Sequence, residues 1–235
     1  MCLFGILSFC PVDFYTADVL KCWENNQRPL TGRRMMKEAA VEYLVNNYHP
    51  RALLVYGSYA RGDWDEYSDF DCMIIVDEKS VKHDDTVIEG VQLDCFVFTA
   101  EETAEEDPEL FLPAYDAEIL FDDGIGEQLQ ERVRRYVREH ETIDADEKAF
   151  IISWIRKTMK RMQKDDDEGN YRAIAFLWES LTDYCLLRDL FYFGSKTTIQ
   201  YLLTNDMEGY KLFHKAIKLK TNESILNWAR YVIHE

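Results

Sequence analysis

The chain has 235 residues, 47% of them hydrophobic and 14% aromatic, which is enough apolar matter for one large or two small cores and excludes a disordered chain. The net charge is −17 and unevenly placed: residues 1–150 hold 33 of the 44 acidic residues against 14 Lys and Arg, whereas residues 151–235 are close to balanced. An acidic first half argues against a partner such as long DNA or RNA; it suits a cationic small substrate, and equally the surface of an ordinary soluble acidic protein. No apolar run approaches the ~20 residues of a membrane span, and Met1 to Cys10 lacks a basic flank and a cleavage site, so neither a membrane nor a signal peptide is expected.

Residues 1–34 carry no clear pattern and read as an N-terminal extension. Residues 35–48 read as an amphipathic helix with an inward stripe of Ala39, Ala40, Tyr43, Leu44 and Tyr48, ended by His49-Pro50. Leu53 to Tyr56 lie in a first buried strand, 52–56, which runs into Gly57-Ser58. Gly57 has no Cβ and admits a close approach. Ser58 is expected to cap a short helix whose free N–H groups would face an anion, and Arg61 adds a fixed cation suited to phosphate. Ser68-Asp69-Phe70-Asp71 then opens a second strand, 70–77. Asp69 and Asp71 are two apart, so their carboxylates share a face, a pair of hard oxygen donors of the kind Mg²⁺ takes.

Residues 86–98 read as a hairpin turning at Glu89-Gly90. Its second arm puts Asp94 on the face opposite Cys95, as Asp71 is opposite Cys72. If the two strands are neighbours, Asp69, Asp71 and Asp94 share one surface and both cysteines the other. The acidic segment 101–109 reads as a solvated loop or short helix. A last strand, 117–121, a turn at Asp122-Asp123-Gly124 and a helix over 126–140 complete the first domain, 35–143. Arg135 and His140 have the spacing of a family of helical ribonuclease toxins, but the end of a surface helix explains that spacing better.

The remainder, 144–235, reads as an all-helical bundle with helices near 146–164, 170–193, 196–204, 207–219 and 222–233. The run Asp165 to Glu168 is a solvated turn. The helix at 170–193 is the expected centre, through Ile174, Leu177, Trp178, Leu181, Tyr184 and Cys185, with Glu179 and Asp183 read as solvated acids. The six cysteines have no paired spacing and read as reduced thiols of a cytoplasmic protein, not as a disulfide frame or zinc site. The fold class expected is therefore α+β: a small mixed sheet followed by a helical bundle.

The stretch Gly57-Ser58, Arg61-Gly62 and Ser68-Asp69-Phe70-Asp71, set between two strands, resembles the signature of the DNA-polymerase-β-like nucleotidyltransferase superfamily. The head-and-tail layout resembles the aminoglycoside and lincosamide nucleotidyltransferases. The resemblance implies transfer of NMP from an NTP, with ATP the expected one, to a hydroxyl of a small molecule, with release of pyrophosphate and dependence on two Mg²⁺ ions. It gives Asp69 and Asp71 the role of metal ligands. Asp94 becomes the third carboxylate, as ligand or as acceptor of the hydroxyl proton. Gly57, Ser58, Arg61 and Ser68 would serve the nucleotide phosphates. In some antibiotic-modifying members a glutamate elsewhere takes that proton, and Glu118, Glu179 and Asp183 are the stand-ins here. Relatives often dimerise, the tail of one subunit lining the cleft of another, and the aromatic-rich tail permits this. The alternatives are a toxin–antitoxin-type enzyme modifying a protein or tRNA, a non-enzymatic module on a decayed fold, and a polymerase-like activity on RNA ends.

Overall fold

The computed structural model describes residues 32–235; the extension read over 1–34 lies almost wholly outside the described residues. The chain divides into two compact units, at Arg134 and Arg135. The division falls inside a helix, earlier than the expected boundary between residues 143 and 144.

In the first unit, α1 (Gly32–Tyr48) leads into β1 (Ala52–Val55), the short α2 (Gly57–Arg61) and β2 (Phe70–Val76). Next come β3 (His83–Asp84), β4 (Val87–Ile88), β5 (Val91–Thr99), α3 (Ala100–Glu105), a 3₁₀ segment (Pro108–Asp116) and β6 (Glu118–Asp122). The strands form a mixed sheet in the order β3-β5-β2-β1-β6, with β4 paired on β5 alone. β2 and β5 are parallel, whereas β1 runs antiparallel to both β2 and β6. The expected hairpin is present: Ile88 pairs with Val91 across Glu89 and Gly90, both at positive φ.

Alternation along the strands sends side chains to two cores. One face packs Leu53, Val55, Cys72, Ile74, Leu93, Cys95 and Val97 against Ala40, Val41, Leu44 and Val45 of α1. The other buries Leu54, Met73 and Ile75 with Phe111, Leu129 and Val133. Leu129 and Val133 belong to α4 (Ile125–His140), which runs across the division between the units. Of the two readings of the segment 101–109, the short helix is the one present over its first half. Thr99 accepts from the Glu102 backbone N–H, and the Glu102 carboxylate accepts from the Thr99 backbone N–H, a reciprocal cap that starts α3.

The second unit holds α5 (Ala145–Met162), α6 (Asp167–Leu186), α7 (Ser195–Asn205), α8 (Met207–Leu219) and α9 (Asn222–Val232). Their shared core is built on Ile155, Phe176, Tyr184 and Trp228, and the Trp228 indole donates to Ser180 Oγ at 2.8 Å. α6 is central, but its inward stripe is Ala173, Phe176, Leu177, Leu181, Tyr184 and Cys185. Ile174 and Trp178, expected in the core, are exposed, Trp178 at 87%. Each lies one residue, about 100° of helix, away from that stripe. α6 also ends at Leu186 rather than near 193. The acidic run before it is a helix start, where Asp166 accepts from the Gly169 backbone N–H at 2.8 Å. His140 closes α4, donating from Nδ1 to the Tyr136 carbonyl at 2.8 Å. Among the described residues no helix is long and apolar enough to cross a membrane.

Candidate active site

The site is organised by the register of β2 and β5. Asp71 stands directly beside Asp94, and on the reverse of the sheet Cys72 stands beside Cys95. Parallel neighbours in register send their side chains to the same face, so the two carboxylates project together. On the reverse side, burial, then the hydrogen bond with Cys95, push the Cys72 thiol well up, so it stays protonated and neutral.

The turn after β1 closes the site from one side. The Tyr56 backbone N–H donates to the Asp71 carbonyl at 3.0 Å. Burial foremost, and then the neighbouring Cys72, Asp94 and Asp71, raise the Tyr56 phenol, which stays a neutral donor beside the carboxylates. Gly57 follows at φ 67°, and a side chain there would run into the Asp71 carboxylate. The close approach expected at this glycine is thus made by Asp71 itself.

The other residues expected here divide. α2 begins at Gly57 with Tyr56 as its cap, so Ser58 is not the cap but a buried residue of the first turn. Arg61 turns to Asp63, with Nη2 3.2 Å from Oδ1, in an exposed pair. The Ser68 hydroxyl accepts from the Asp65 backbone N–H at 2.9 Å and donates to Asp65 Oδ1 at 3.1 Å, which folds the loop back towards β2. Trp64 pins the same loop by stacking on Tyr59, with ring centroids 4.8 Å apart.

Asp69 is exposed, one residue before β2, and its charge adds to burial in raising the Tyr59 phenol. Of the three expected ligands, then, register joins Asp71 and Asp94, whereas Asp69 lies in the loop before β2, not on the strand. Among the described residues no three His, Cys, Asp or Glu side chains converge as a ready-made metal cluster. Two aligned carboxylates, one seated against Gly57, are hard oxygen donors that fit Mg²⁺, a cation that keeps waters and phosphate oxygens in its remaining positions.

The stand-in glutamate on this unit is placed elsewhere. Glu118 pairs with Val55, whose side chain faces α1, and binds Lys37 Nζ at 2.7 Å. Of the two acids on α6, Glu179 is exposed as expected. Asp183 is not solvated: its Oδ2 is buried without a hydrogen-bond partner among the described residues.

One residue at the site carried no sequence signal. His83, in the two-residue β3, donates from Nε2 to Asp94 Oδ1 at 2.7 Å. The polar stretch 78–86 shows neither periodicity nor a motif, so only the pairing of β3 on β5 reveals this partner.

Comparison with known proteins shows the family through one match. The model of the nucleotidyltransferase domain family matches residues 37–174, more than half of the chain and the whole of the site just described. Among solved structures, a nucleotidyltransferase-like protein from Exiguobacterium sibiricum 255-15 is similar at 10% identity and a TM-score of 0.37, over 85% of this chain and 73% of that one. No curated protein matches.

Proposed function

The chain belongs to the nucleotidyltransferase domain family, and from that premise we propose that it transfers NMP from an NTP, by preference ATP, to a hydroxyl of a cationic small molecule of the aminoglycoside or lincosamide kind. Pyrophosphate is the second product.

The observation that carries this reading is the register pair of Asp71 and Asp94 against Gly57. Asp69, Asp71 and Asp94 would hold Mg²⁺, which when bound would supply positive charge to offset that of the nucleotide phosphates and of the leaving pyrophosphate. Asp94 alternatively accepts the proton of the acceptor hydroxyl as the new phosphate ester bond forms. The short Gly57-Ser58 turn presents backbone N–H groups to the phosphates, and Arg61 serves them on release from Asp63. The excess of acidic residues in the first half of the chain draws a cationic acceptor towards the site.

The test is pyrophosphate release from each NTP with Mg²⁺, across a panel of aminoglycosides and lincosamides, with Asp69→Asn/Asp71→Asn as the blank. Release that needs one drug and both aspartates supports the reading. NTP binding without release for any drug points to the toxin–antitoxin-type activity, for which protein hydroxyls and tRNA are the acceptors to try. Metal-dependent NTP binding unchanged in the double variant removes the enzyme reading.

A further inference from the structure

We propose that His83 is a positioning residue for Asp94: its Nε2–H holds one carboxylate oxygen so that the other is presented on the face shared with Asp71. This rests on the reading of Asp94 as a metal ligand given above.

The hydrogen bond is 2.7 Å long and charge-assisted, because an imidazole N–H meets a carboxylate. His83 is the hydrogen-bond partner that the described residues supply to the Asp94 side chain. The ring is held in turn. It lies over Phe96, with centroids 4.8 Å apart, and His83 pairs with Phe96 across the β3–β5 ladder. The next residue, Asp84, points to the opposite face and anchors the strand. It is 7% exposed and accepts from Tyr48 Oη at 2.6 Å and Tyr43 Oη at 3.2 Å, both on α1. The Val97 backbone N–H donates to the Lys82 carbonyl at 3.0 Å and fixes the approach to β3.

A two-residue strand on the edge of a sheet adds little to stability. Here it delivers one donor to one oxygen of a site carboxylate. Carboxylates that ligate metals are commonly oriented this way, and loss of such a partner typically costs about ten- to a hundredfold in metal affinity. Without the bond, Asp94 is free to rotate away from Asp71, and its second oxygen loses its fixed direction.

The test is titration of the full chain with Mn²⁺ alone, followed by water-proton relaxation, in wild type, His83→Leu, His83→Gln, Asp71→Asn and Asp94→Asn. The expected result is that His83→Leu weakens Mn²⁺ binding about tenfold or more, while His83→Gln, whose amide can still donate, stays within about threefold of wild type. His83→Leu binding like wild type while Asp94→Asn is weakened overturns the role of His83 and leaves Asp94 a ligand. His83→Gln as weak as His83→Leu overturns it also, since packing on Phe96 would then be the cause. If Asp94→Asn binds Mn²⁺ like wild type, or wild type takes up none, the reading of Asp94 as a ligand fails and the inference falls with it.

Discussion

The carboxylate of Asp71 fills the space that a side chain at position 57 would need. A Cβ on Gly57 would collide with Asp71 Oδ2 and lie 2.8 Å from its Cγ, and the backbone there has φ 67°. Gly57→Ala therefore carries two penalties: roughly 1–2 kcal/mol for the left-handed backbone, and displacement of a proposed ligand. Gly62→Ala is the matched control. Gly62 has φ 77° but open space around its Cα, so it pays the backbone term alone. Both variants should melt a few degrees lower than wild type, but Gly57→Ala alone should lose Mn²⁺ binding and pyrophosphate release. Equal loss in both would mean that Asp71 is not the reason for the glycine.

Asp84 is a structural hub rather than part of the site. Burial on its own would raise its pKa, but bonds from Thr86, Tyr48 and Tyr43 bring the carboxyl below its ordinary value. A depressed value in the folded state means stability that is present above the unfolded pKa of about 3.9 and is lost as pH falls below it. Asp84→Ala should cost about 2–3 kcal/mol at pH 7, since it strands Tyr48 and the Thr86 N–H together. Urea titrations at pH 7 and pH 3 check both points, because the gap between wild type and variant should narrow in acid. A gap that persists at pH 3 would assign the loss to packing instead.

The site was legible in sequence where chemistry is local, and illegible where it depends on pairing. The order Gly57, Ser58, Ser68, Asp69, Asp71 stands in one continuous stretch. The face of Asp94 followed from alternation, and the register of β2 on β5 bears it out. Glu118 misled because a strand residue declares its face only once its neighbour is known, and Val55 puts it on the α1 side. The exposed Ile174 and Trp178 misled for another reason. On an apolar helix the stripe that wins is the one that meets other helices, and composition does not say which that is. The early end of α6 is similar: the aromatic run after Leu190 looks helical by composition, but Asp189 has φ 55°, which breaks the helix.

Asp206 ties three helices of the second unit together. It caps α8 by accepting from the Gly209 backbone N–H at 3.0 Å, and it also accepts from Tyr184 Oη of α6 at 2.7 Å and Tyr231 Oη of α9 at 2.5 Å. The Arg188 guanidinium lies 4.0 Å from the Tyr184 ring centre and donates to the Tyr231 and Val232 carbonyls. Tyr184→Phe and Tyr231→Phe should each cost about 1 kcal/mol, and Asp206→Ala about 3 kcal/mol, because the last leaves two partly buried hydroxyls and a helix N–H without an acceptor. In a double-mutant cycle, Tyr184→Phe should cost much less once Asp206 is alanine. Strictly additive losses would show that the three groups do not act through the shared carboxylate.

Asp183 behaves in the opposite sense. Its Oδ2 is buried without a partner, and burial first, then the charge of Glu179 one turn earlier, pushes the carboxyl up to about 6. The folded state then holds this proton more tightly than the unfolded chain does, whose value is about 3.9. The contribution to stability is therefore full below about pH 4 and is lost as pH rises through about 6, a change of about 3 kcal/mol. Asp183→Asn keeps the shape, removes the charge, and should flatten that part of the profile while stabilising the second unit at pH 7. Stability measured by urea unfolding from pH 4 to pH 7 decides it. A wild-type profile with no fall between pH 4 and pH 6.5, or an Asn variant less stable than wild type at pH 7, would mean that the carboxylate has a favourable partner in solution.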